Sequence, residues 1–338
     1  ELHFTVQARS DDLSPLVPEI QGGFQATVVA RGDPARPEIT LSLNGSGLSF
    51  QDYTLQPLQH LQTDVKAKLS LQGENQGVTV DELRVVLDNK GNKSTLAASG
   101  QVGWSNGLSW QVDLSGKQLD PSLFLPEWPG NITTEIHSQG RKNGDELTAQ
   151  LQIDKLGGKL RDLPLSGSGK AELNNKVVLV DKLRLGFGSA QVVVNGSANP
   201  AQQFDLNFEA EAKELVGLLP GASGEFRVQG TLKGKAQQPD LDLTVNAGNI
   251  KYEGYQLKQL KGRVKADLAE HGRIDADLQA SGIRVKEEKI NTVSLQIQGS
   301  TEQHTLELAV AGTSGKVQFA AAGGLEEQTW QGRLTQLS

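Results

Sequence analysis

The chain has 338 residues, of which 36% are hydrophobic and 5% aromatic, and its formal net charge at pH 7 is −7. This acidic chain contains no basic cluster, so it is not expected to bind nucleic acid, which requires concentrated Lys and Arg. The absence of cysteine excludes a disulfide framework and a thiolate metal site. Methionine is also absent, which indicates an internal piece of a longer protein or a processed product. The sequence has no run of about 18 apolar residues, so we expect any membrane anchor to lie outside this piece.

Short stretches in which apolar and polar residues alternate fill nearly the whole chain. Examples are residues 24–30, 147–153, 204–208 and 241–245, separated by turns rich in Gly, Asn, Asp and Ser. Such alternation predicts antiparallel strands with one apolar and one polar face. In the stretch 177–187 we predict that the apolar face carries Val177, Leu179, Leu183, Leu185 and Phe187.

Three short segments, 11–19, 119–127 and 213–221, predict helices. Each contains a Leu-Pro or Val-Pro pair near its end, and a strand opens six residues after that proline. Their spacing of about one hundred residues predicts a repeat array, in which each unit stacks on its neighbour. The predicted division is the end of a preceding repeat over 1–11, then repeats over 12–118, 119–212 and 213–338, the last being longer.

Candidate catalytic groups are few and isolated. The five histidines lie far from one another in sequence, which favours ordinary exposed strand or turn positions. The pairs Asp240/Asp242 and Asp275/Asp277 each share a strand face and fit the polar side of a sheet better than a glycosidase acid pair. The segments "GSGK" (167–170) and "GTSGK" (312–316) lack the context of a phosphate loop and are predicted to be turns. We therefore expect no enzyme activity, no catalytic residues, no metal site and no cofactor.

The apolar face itself is the strongest functional feature. A second sheet packed against it is the ordinary arrangement, as in a sandwich or a barrel. However, nine Phe, four Trp and three Tyr in the whole chain are few large side chains for such a core. Rows of Leu, Val, Ile and Ala could instead line a continuous open trough. A trough of this length would expose more apolar surface than a soluble protein normally leaves bare, so it would require an apolar ligand.

The order of these features resembles the periplasmic repeat region of the TamB family, within the wider AsmA-like group of bridge-like lipid transfer proteins. The resemblance is carried by the phrases "LVPEI", "FLPEW" and "LLPGA", by the strand meanders that follow them, and by "LRVVLDNKGNKSTLAASGQVGW" and "QLKQLKGRVKADL". It implies an all-β fold: an elongated, curved, mainly antiparallel sheet that forms a half-pipe groove, with the short helices at its rim. Neither the family's membrane helix nor its C-terminal domain is recognisable, so the chain is interpreted as a middle segment.

The resemblance also implies a function. The segment would lie in the periplasm of a Gram-negative bacterium, in a protein anchored in the inner membrane, and would carry phospholipids towards the outer membrane. The implied partners are phospholipids and TamA, the outer-membrane barrel protein of the translocation and assembly module, with TamA contacted through parts outside this segment. The predicted lipid-binding residues are Leu147, Leu151, Ile153, Val192, Val194, Phe204, Leu206, Phe208, Leu241, Leu243, Val245, Ile274, Leu278, Leu295, Ile297, Leu306, Leu308 and Val310.

Two other classes of function remain open at this point. An assembly factor for outer-membrane β-barrel proteins or autotransporters could use the free edges of the sheet to template strands by β-augmentation. A secreted β-solenoid adhesin or polysaccharide enzyme would require coil repeats of about 20–30 residues, which the sequence does not show.

Overall fold

The computed structural model describes residues 1–15, 19–50, 58–71, 76–89, 91–199, 203–269, 271–313, 315–326 and 329–338. The described residues form strands almost throughout, and the chain divides into unit 1, Glu1–Lys176, and unit 2, Val177–Ser338. Unit 1 contains the strands β1 (Leu2–Ser10), β2 (Ile20–Asp33), β3 (Arg36–Phe50), β4 (Leu58–Ser70), β5 (Gly77–Asn89), β6 (Asn92–Gly103), β7 (Leu108–Leu119), β8 (Gly130–Asn143), β9 (Glu146–Leu160) and β10 (Leu163–Asn174).

Unit 2 is built in the same way. Its strands are β11 (Val177–Phe187), β12 (Ala190–Ala198), β13 (Gln203–Ala212), β14 (Ser223–Lys235), β15 (Gln238–Tyr252), β16 (Tyr255–Asp267), β17 (Arg273–Val285), β18 (Glu288–Ser300), β19 (His304–Gly312), β20 (Gly315–Glu326) and β21 (Thr329–Leu337).

Within each unit, every strand pairs antiparallel with the strand that follows it in the chain. Short connections suffice for successive antiparallel strands, and in the described residues longer ones lead from β7 to β8 and from β13 to β14. In the described residues, the first and last strands of a unit do not pair with each other, so neither sheet closes into a barrel. The predicted fold class, an open all-β and mainly antiparallel sheet, is confirmed. The division into three repeats stays a prediction.

The predicted helices are wrong. Within 119–127 the structure has only a single 3-10 turn, Pro121–Leu123, whose N-terminus is capped by the Asp120 carboxylate. Residues 213–221 form turns, and in the described part of 11–19 there are bends and turns, while residues 16–18 lie outside the described residues. The segments are too short, and too often interrupted by Pro, to offset the cost of nucleating an α-helix.

These turns nevertheless share a construction. The backbone N–H of Leu13 donates to the carbonyl of Gly22 over 2.9 Å, and the N–H of Leu215 donates to that of Gly224 over 3.0 Å. Both glycines have positive φ, +107° and +111° respectively, and sit at β-bulges where the following strand begins. A side chain at either position would collide with a neighbouring carbonyl oxygen, so this kind of turn depends on glycine.

The one compact hydrophobic cluster among the described residues lies in unit 1, beside the turn at Leu13 and the turn Pro121–Leu123. Leu48 and Leu123 are buried in it. Half-buried apolar side chains from the first turn and from β2, β4 and β5 pack around them: Leu13, Ile20, Leu61 and Leu87. The cluster fastens the Pro121–Leu123 turn to the sheet through Leu123, a contact that the sequence does not reveal.

The two glycine-rich segments behave differently. Residues 312–316 join β19 to β20, as expected of a turn, with Ser314 outside the described residues. Residues 167–170 are not a turn, because they lie inside β10 at a bulge opposite β9. In the described part of the chain, no helix has the length and hydrophobicity that a membrane crossing requires.

Candidate functional site

The strand register gathers apolar side chains onto one face of the sheet in unit 2. Residues directly opposite each other in neighbouring strands share a face. Such residues form a row that crosses the sheet from strand to strand, and Phe208, Leu243 and Ile297 belong to one row. The complete row across β11–β21 is Leu183, Val194, Phe208, Gly230, Leu243, Val264, Ala276, Ile297, Leu306, Ala321 and Leu334. The next row is equally apolar and runs Leu185, Val192, Ala210, Val228, Val245, Gly262, Leu278, Leu295, Leu308 and Phe319. This surface is called the apolar face of unit 2.

Unit 1 has a corresponding apolar face. One row across its ten strands consists of Val6, Val28, Leu41, Val65, Leu83, Ala98, Leu114, Ile136, Ile153 and Gly169. Unlike the face of unit 2, it contains small polar residues within its rows, among them Thr63, Thr134 and Ser138. The apolar face of each unit is therefore continuous from strand to strand, but that of unit 1 is less uniformly hydrophobic.

No second layer covers these faces in the described part of the chain. The strands contact chiefly their neighbours in sequence, and no large hydrophobic side chain of the described residues is fully buried. The accessible surface of the chain is 21266 Å², whereas a compact globular protein of its mass would expose roughly 13,000 Å². This larger surface fits sheets of a single layer within each unit, whose apolar faces stay accessible.

The opposite face of each sheet, called the polar face, is rich in charged pairs. In unit 2, Asp242 accepts from Arg263 over 3.0 Å and lies 3.3 Å from the ammonium of Lys265. Hydrogen bonding from Arg263 holds the pKa of the Asp242 carboxyl below its usual value, and Lys265 acts in the same direction. Asp275 lies opposite Lys265, so Asp242 and Asp275 both lie on the polar face of the sheet, as the sequence predicted.

His304 is the exception to the prediction that the histidines are exposed. It lies on the apolar face and is only 7% exposed. Its Nε2 accepts a hydrogen bond from Trp330 Nε1 over 2.9 Å, and its Nδ1 lies 2.9 Å from the carbonyl oxygen of Ser300. With Nε2 accepting and Nδ1 donating, the ring is neutral and fully hydrogen-bonded. The sequence gave no signal for this contact, because Trp330 lies 26 residues further along the chain.

His137, on the polar face of unit 1, holds three strands together. Its Nδ1 bonds to Asp113 on β7, and its Nε2 lies 2.7 Å from an oxygen of Asp154 on β9. The hydrogen bond with Asp113 raises the pKa of His137, and the charges of Asp113 and Asp154 act in the same direction. The protonated ring therefore bridges two carboxylates across β8.

We expect this bridge to make the stability of unit 1 depend on pH. Because the folded pKa of His137 lies above its unfolded value, the bridge stabilises at low pH and its contribution is lost as pH rises through the folded pKa. Thermal unfolding of the chain measured from pH 5.5 to 8.5 should show a smaller loss of Tm in the variant His137→Gln than in the wild type. Equal slopes for the two proteins would contradict this prediction.

Comparison with known proteins identifies the family. The family model described as "TamB, N-terminal domain" matches residues 59–338. The chain belongs to the TamB family. It is also 24% identical over 320 residues to the protein named "Translocation and assembly module subunit TamB" from Haemophilus influenzae, a match that covers 89% of this chain and 23% of that protein. The chain thus spans about a quarter of the length of this curated relative. No solved structure matches the chain.

The TamB resemblance noted in the sequence is therefore confirmed. The matching model describes the N-terminal domain of the family, whereas the sequence was interpreted as a middle segment. The position of the segment within the full-length protein stays a prediction.

The structure places every predicted lipid-binding residue of this TamB-family chain on an apolar face. Leu147, Leu151 and Ile153 lie on that of unit 1, and the other residues lie on that of unit 2. Leu151 and Val192 are 43% and 38% exposed, and the remaining ones are half-buried. Whether these side chains contact lipid stays a prediction.

The predicted apolar face of the stretch 177–187 is wrong for two of its five residues, Val177 and Leu179. A bulge between Val180 and Leu183 shifts the register of β11 against β12. As a result, Val178 and Val180 join the apolar face, while Val177 and Leu179 turn towards the polar face. The bulge is fixed by the Asn195 side chain, which accepts from the backbone N–H of Lys182 over 2.6 Å. Period-two counting through the bulge assigns the wrong face because one extra residue reverses the alternation.

Proposed function

We propose that this chain is a periplasmic segment of a bridge-like lipid transport protein, whose apolar faces line a groove for phospholipid acyl chains. The observation that carries the proposal is that apolar rows run from strand to strand within each unit and that no second layer of the same unit covers them. An apolar surface of this extent is unfavourable in water unless an apolar ligand occupies it. Membership of the TamB family supports this function.

The composition of the apolar rows suits the passage of lipid acyl chains along the face better than their permanent binding at one place. Each methylene removed from water contributes about 0.8 kcal/mol, so a sixteen-carbon chain could gain up to roughly 12 kcal/mol. The two rows of unit 2 contain Gly, Ala, Val, Ile, Leu and Phe but no charged side chain, so no polar anchor holds an acyl chain at one strand. Acyl chains would be retained strongly and displaced easily, while the head groups stay in water. The proposed role is non-enzymatic and needs no cofactor.

The proposal extends to the complex and the cell compartment in which the chain acts. The Haemophilus influenzae relative is named as a subunit of the translocation and assembly module. We infer that this chain acts in the same module in a Gram-negative envelope. It would belong to a protein anchored in the inner membrane, pass phospholipids between the two membranes, and work with the outer-membrane barrel protein TamA.

Photocrosslinking tests the lipid groove directly. Leu206 faces the apolar side of β13 and Asn207 faces the polar side, so a photoreactive amino acid at each position probes opposite faces at one point. In cells with labelled phospholipid, we expect label at position 206 and little or none at position 207. Equal labelling at both positions, or none at either in a folded protein, would contradict a lipid groove. Crosslinks to β-barrel precursors at 206 would instead favour an assembly factor.

A further inference from the structure

The polar face of unit 1 carries a line of amide side chains that the lipid role does not use. Gln101, Gln111, Gln139 and Gln150 lie directly opposite one another on the four successive strands β6–β9. Neighbouring strands are about 4.8 Å apart, so the line presents one amide group at each such step across the sheet. Each amide offers both hydrogen-bond donors and an acceptor.

A cavity lies along this line. Its larger part, of about 900 Å³, is lined by Gln101, Gln111, Arg36 and Arg141, with Trp104 at one side. A second part of about 440 Å³ shares Gln111 and Arg141 with the first and continues past Gln139 and Gln150 towards β10. Together these two parts are called the amide trough.

Glycines form part of the floor of the amide trough. Gly77 and Gly103 lie opposite each other on β5 and β6, and Gly103 lies opposite Ser109 on β7. A Cβ atom at Gly103 would lie 2.9 Å from Ser109 Oγ, and one at Gly77 would lie 2.5 Å from the carbonyl oxygen of Val102. Side chains at these two positions would crowd the floor of the trough.

Several polar groups of the amide trough have no partner within the described residues. Gln139 donates to Gln150, and Gln150 donates to Glu172, over 2.8 and 2.9 Å. In contrast, no hydrogen bond or ion pair to another described residue engages the side chains of Gln101, Gln111, Arg36 and Arg141. Trp104 is 43% exposed. The amide trough therefore presents amide and guanidinium groups without partners among the described residues beside an exposed indole ring.

We propose that the amide trough binds an extended oligosaccharide. Sugar hydroxyl groups both donate and accept, which matches the uncharged Gln and Ser side chains. The strand spacing is comparable with the length of one pyranose unit along an extended glycan, so successive amides meet successive sugars. Trp104 offers a flat apolar surface on which the C–H face of a sugar can pack, while Arg36 and Arg141 donate to ring or hydroxyl oxygens.

Other polymers fit the amide trough less well. A nucleic acid would require dense positive charge, yet Glu38 and Glu172 also line the trough. An extended peptide binds sheets mainly through the free backbone of an edge strand. The trough crosses β3–β10, and its central strands are paired on both sides, which leaves no backbone edge for a peptide to join.

Calorimetric titration of the whole chain with chitohexaose, cellohexaose and maltohexaose tests the proposal. We expect saturable binding of at least one of the three. Trp104→Ala should weaken that binding about tenfold, as expected from losing one aromatic contact. Trp104→Phe should retain most of it, and Gln111→Ala should weaken it about fivefold.

Gln296→Ala is the matched control, since Gln296 is an exposed amide on the polar face of unit 2, outside the amide trough. It should leave glycan binding unchanged. Circular dichroism confirms that each variant is folded. Absence of binding to all three hexasaccharides, or binding that is unaffected by Trp104→Ala and Gln111→Ala together, would overturn the proposal without bearing on the lipid groove.

Discussion

Glutamate at Leu243 and Leu295 together is expected to abolish lipid contact in unit 2. Leu243 lies between Gly230 and Val264 in one apolar row, and Leu295 lies between Leu278 and Leu308 in the next. A carboxylate in contact with acyl chains loses its hydration and finds no compensating partner there, at a cost of several kcal/mol. With a photoreactive amino acid at Leu206, phospholipid labelling in the double variant should fall at least about tenfold, because each 1.4 kcal/mol is a factor of ten.

The control for this experiment uses the adjacent residues. Thr244 and Ser294 lie on the same strands and face the polar side, opposite Gln229 and Gln279. Glutamate at both positions adds the same charge at the same level of the sheet, yet should leave lipid labelling within about twofold of the wild type, since surface changes are usually worth less than 0.5 kcal/mol. Equal losses in the two double variants would indicate that charge or instability is responsible, and the lipid groove would lose its support.

The sequence predicted the faces of regular strands well. Where apolar residues recur at every second position without interruption, as in β13, β15 and β18, the structure places all of them on one side. The period of a strand is two residues and each strand has one apolar side, so alternation alone determines the face. Neighbouring strands then align their apolar sides, because any one-residue slip would expose the whole set.

The sequence failed to predict features whose local structure depends on residues far away in the chain. The bulge that reverses Val177 and Leu179 is held by Asn195 on the next strand. His304 is buried because Trp330, two strands further on, supplies its hydrogen bond. The turn at Pro121–Leu123 is packed against Leu48, which is far away in sequence. No pattern within one short window contains these contacts, since each depends on strand pairing formed later in the chain.

The amide trough escaped detection for a related reason. Gln101, Gln111, Gln139 and Gln150 are separated in sequence by strands and turns, and each alone is an ordinary polar residue on the solvent side of a strand. Only the register of β6–β9 brings them into line. An open sheet can therefore carry two different surfaces, one apolar and one hydrogen-bonding, although its sequence alternation distinguishes only apolar from polar.

Glycine permits close contact between paired backbones within the strands that build both surfaces, and Gly158 on β9 is an example. Its φ is +125°, and a Cβ atom there would lie 2.0 Å from the carbonyl oxygen of Asn131 on β8. Gly158→Ala must therefore move the backbone or break the pairing of β8 with β9, and we expect a destabilisation of about 3 kcal/mol. Hydrogen exchange of the amides of β8 and β9 should accelerate about a hundredfold as their opening free energy falls.

The residue before it supplies the control. Gly157 has no positive φ, and the nearest atom to its Cβ position is the carbonyl oxygen of Leu165 at 3.9 Å. Gly157→Ala should therefore change stability by less than about 0.5 kcal/mol, or stabilise slightly by restricting the unfolded chain. If the two substitutions changed exchange in β8 and β9 equally, the pairing of these strands would not depend on glycine at position 158. If only Gly158→Ala accelerates exchange, the close approach of β8 and β9 at Gly158 is needed to keep the apolar rows of unit 1 aligned, and lipid labelling at Leu151 should fall with it.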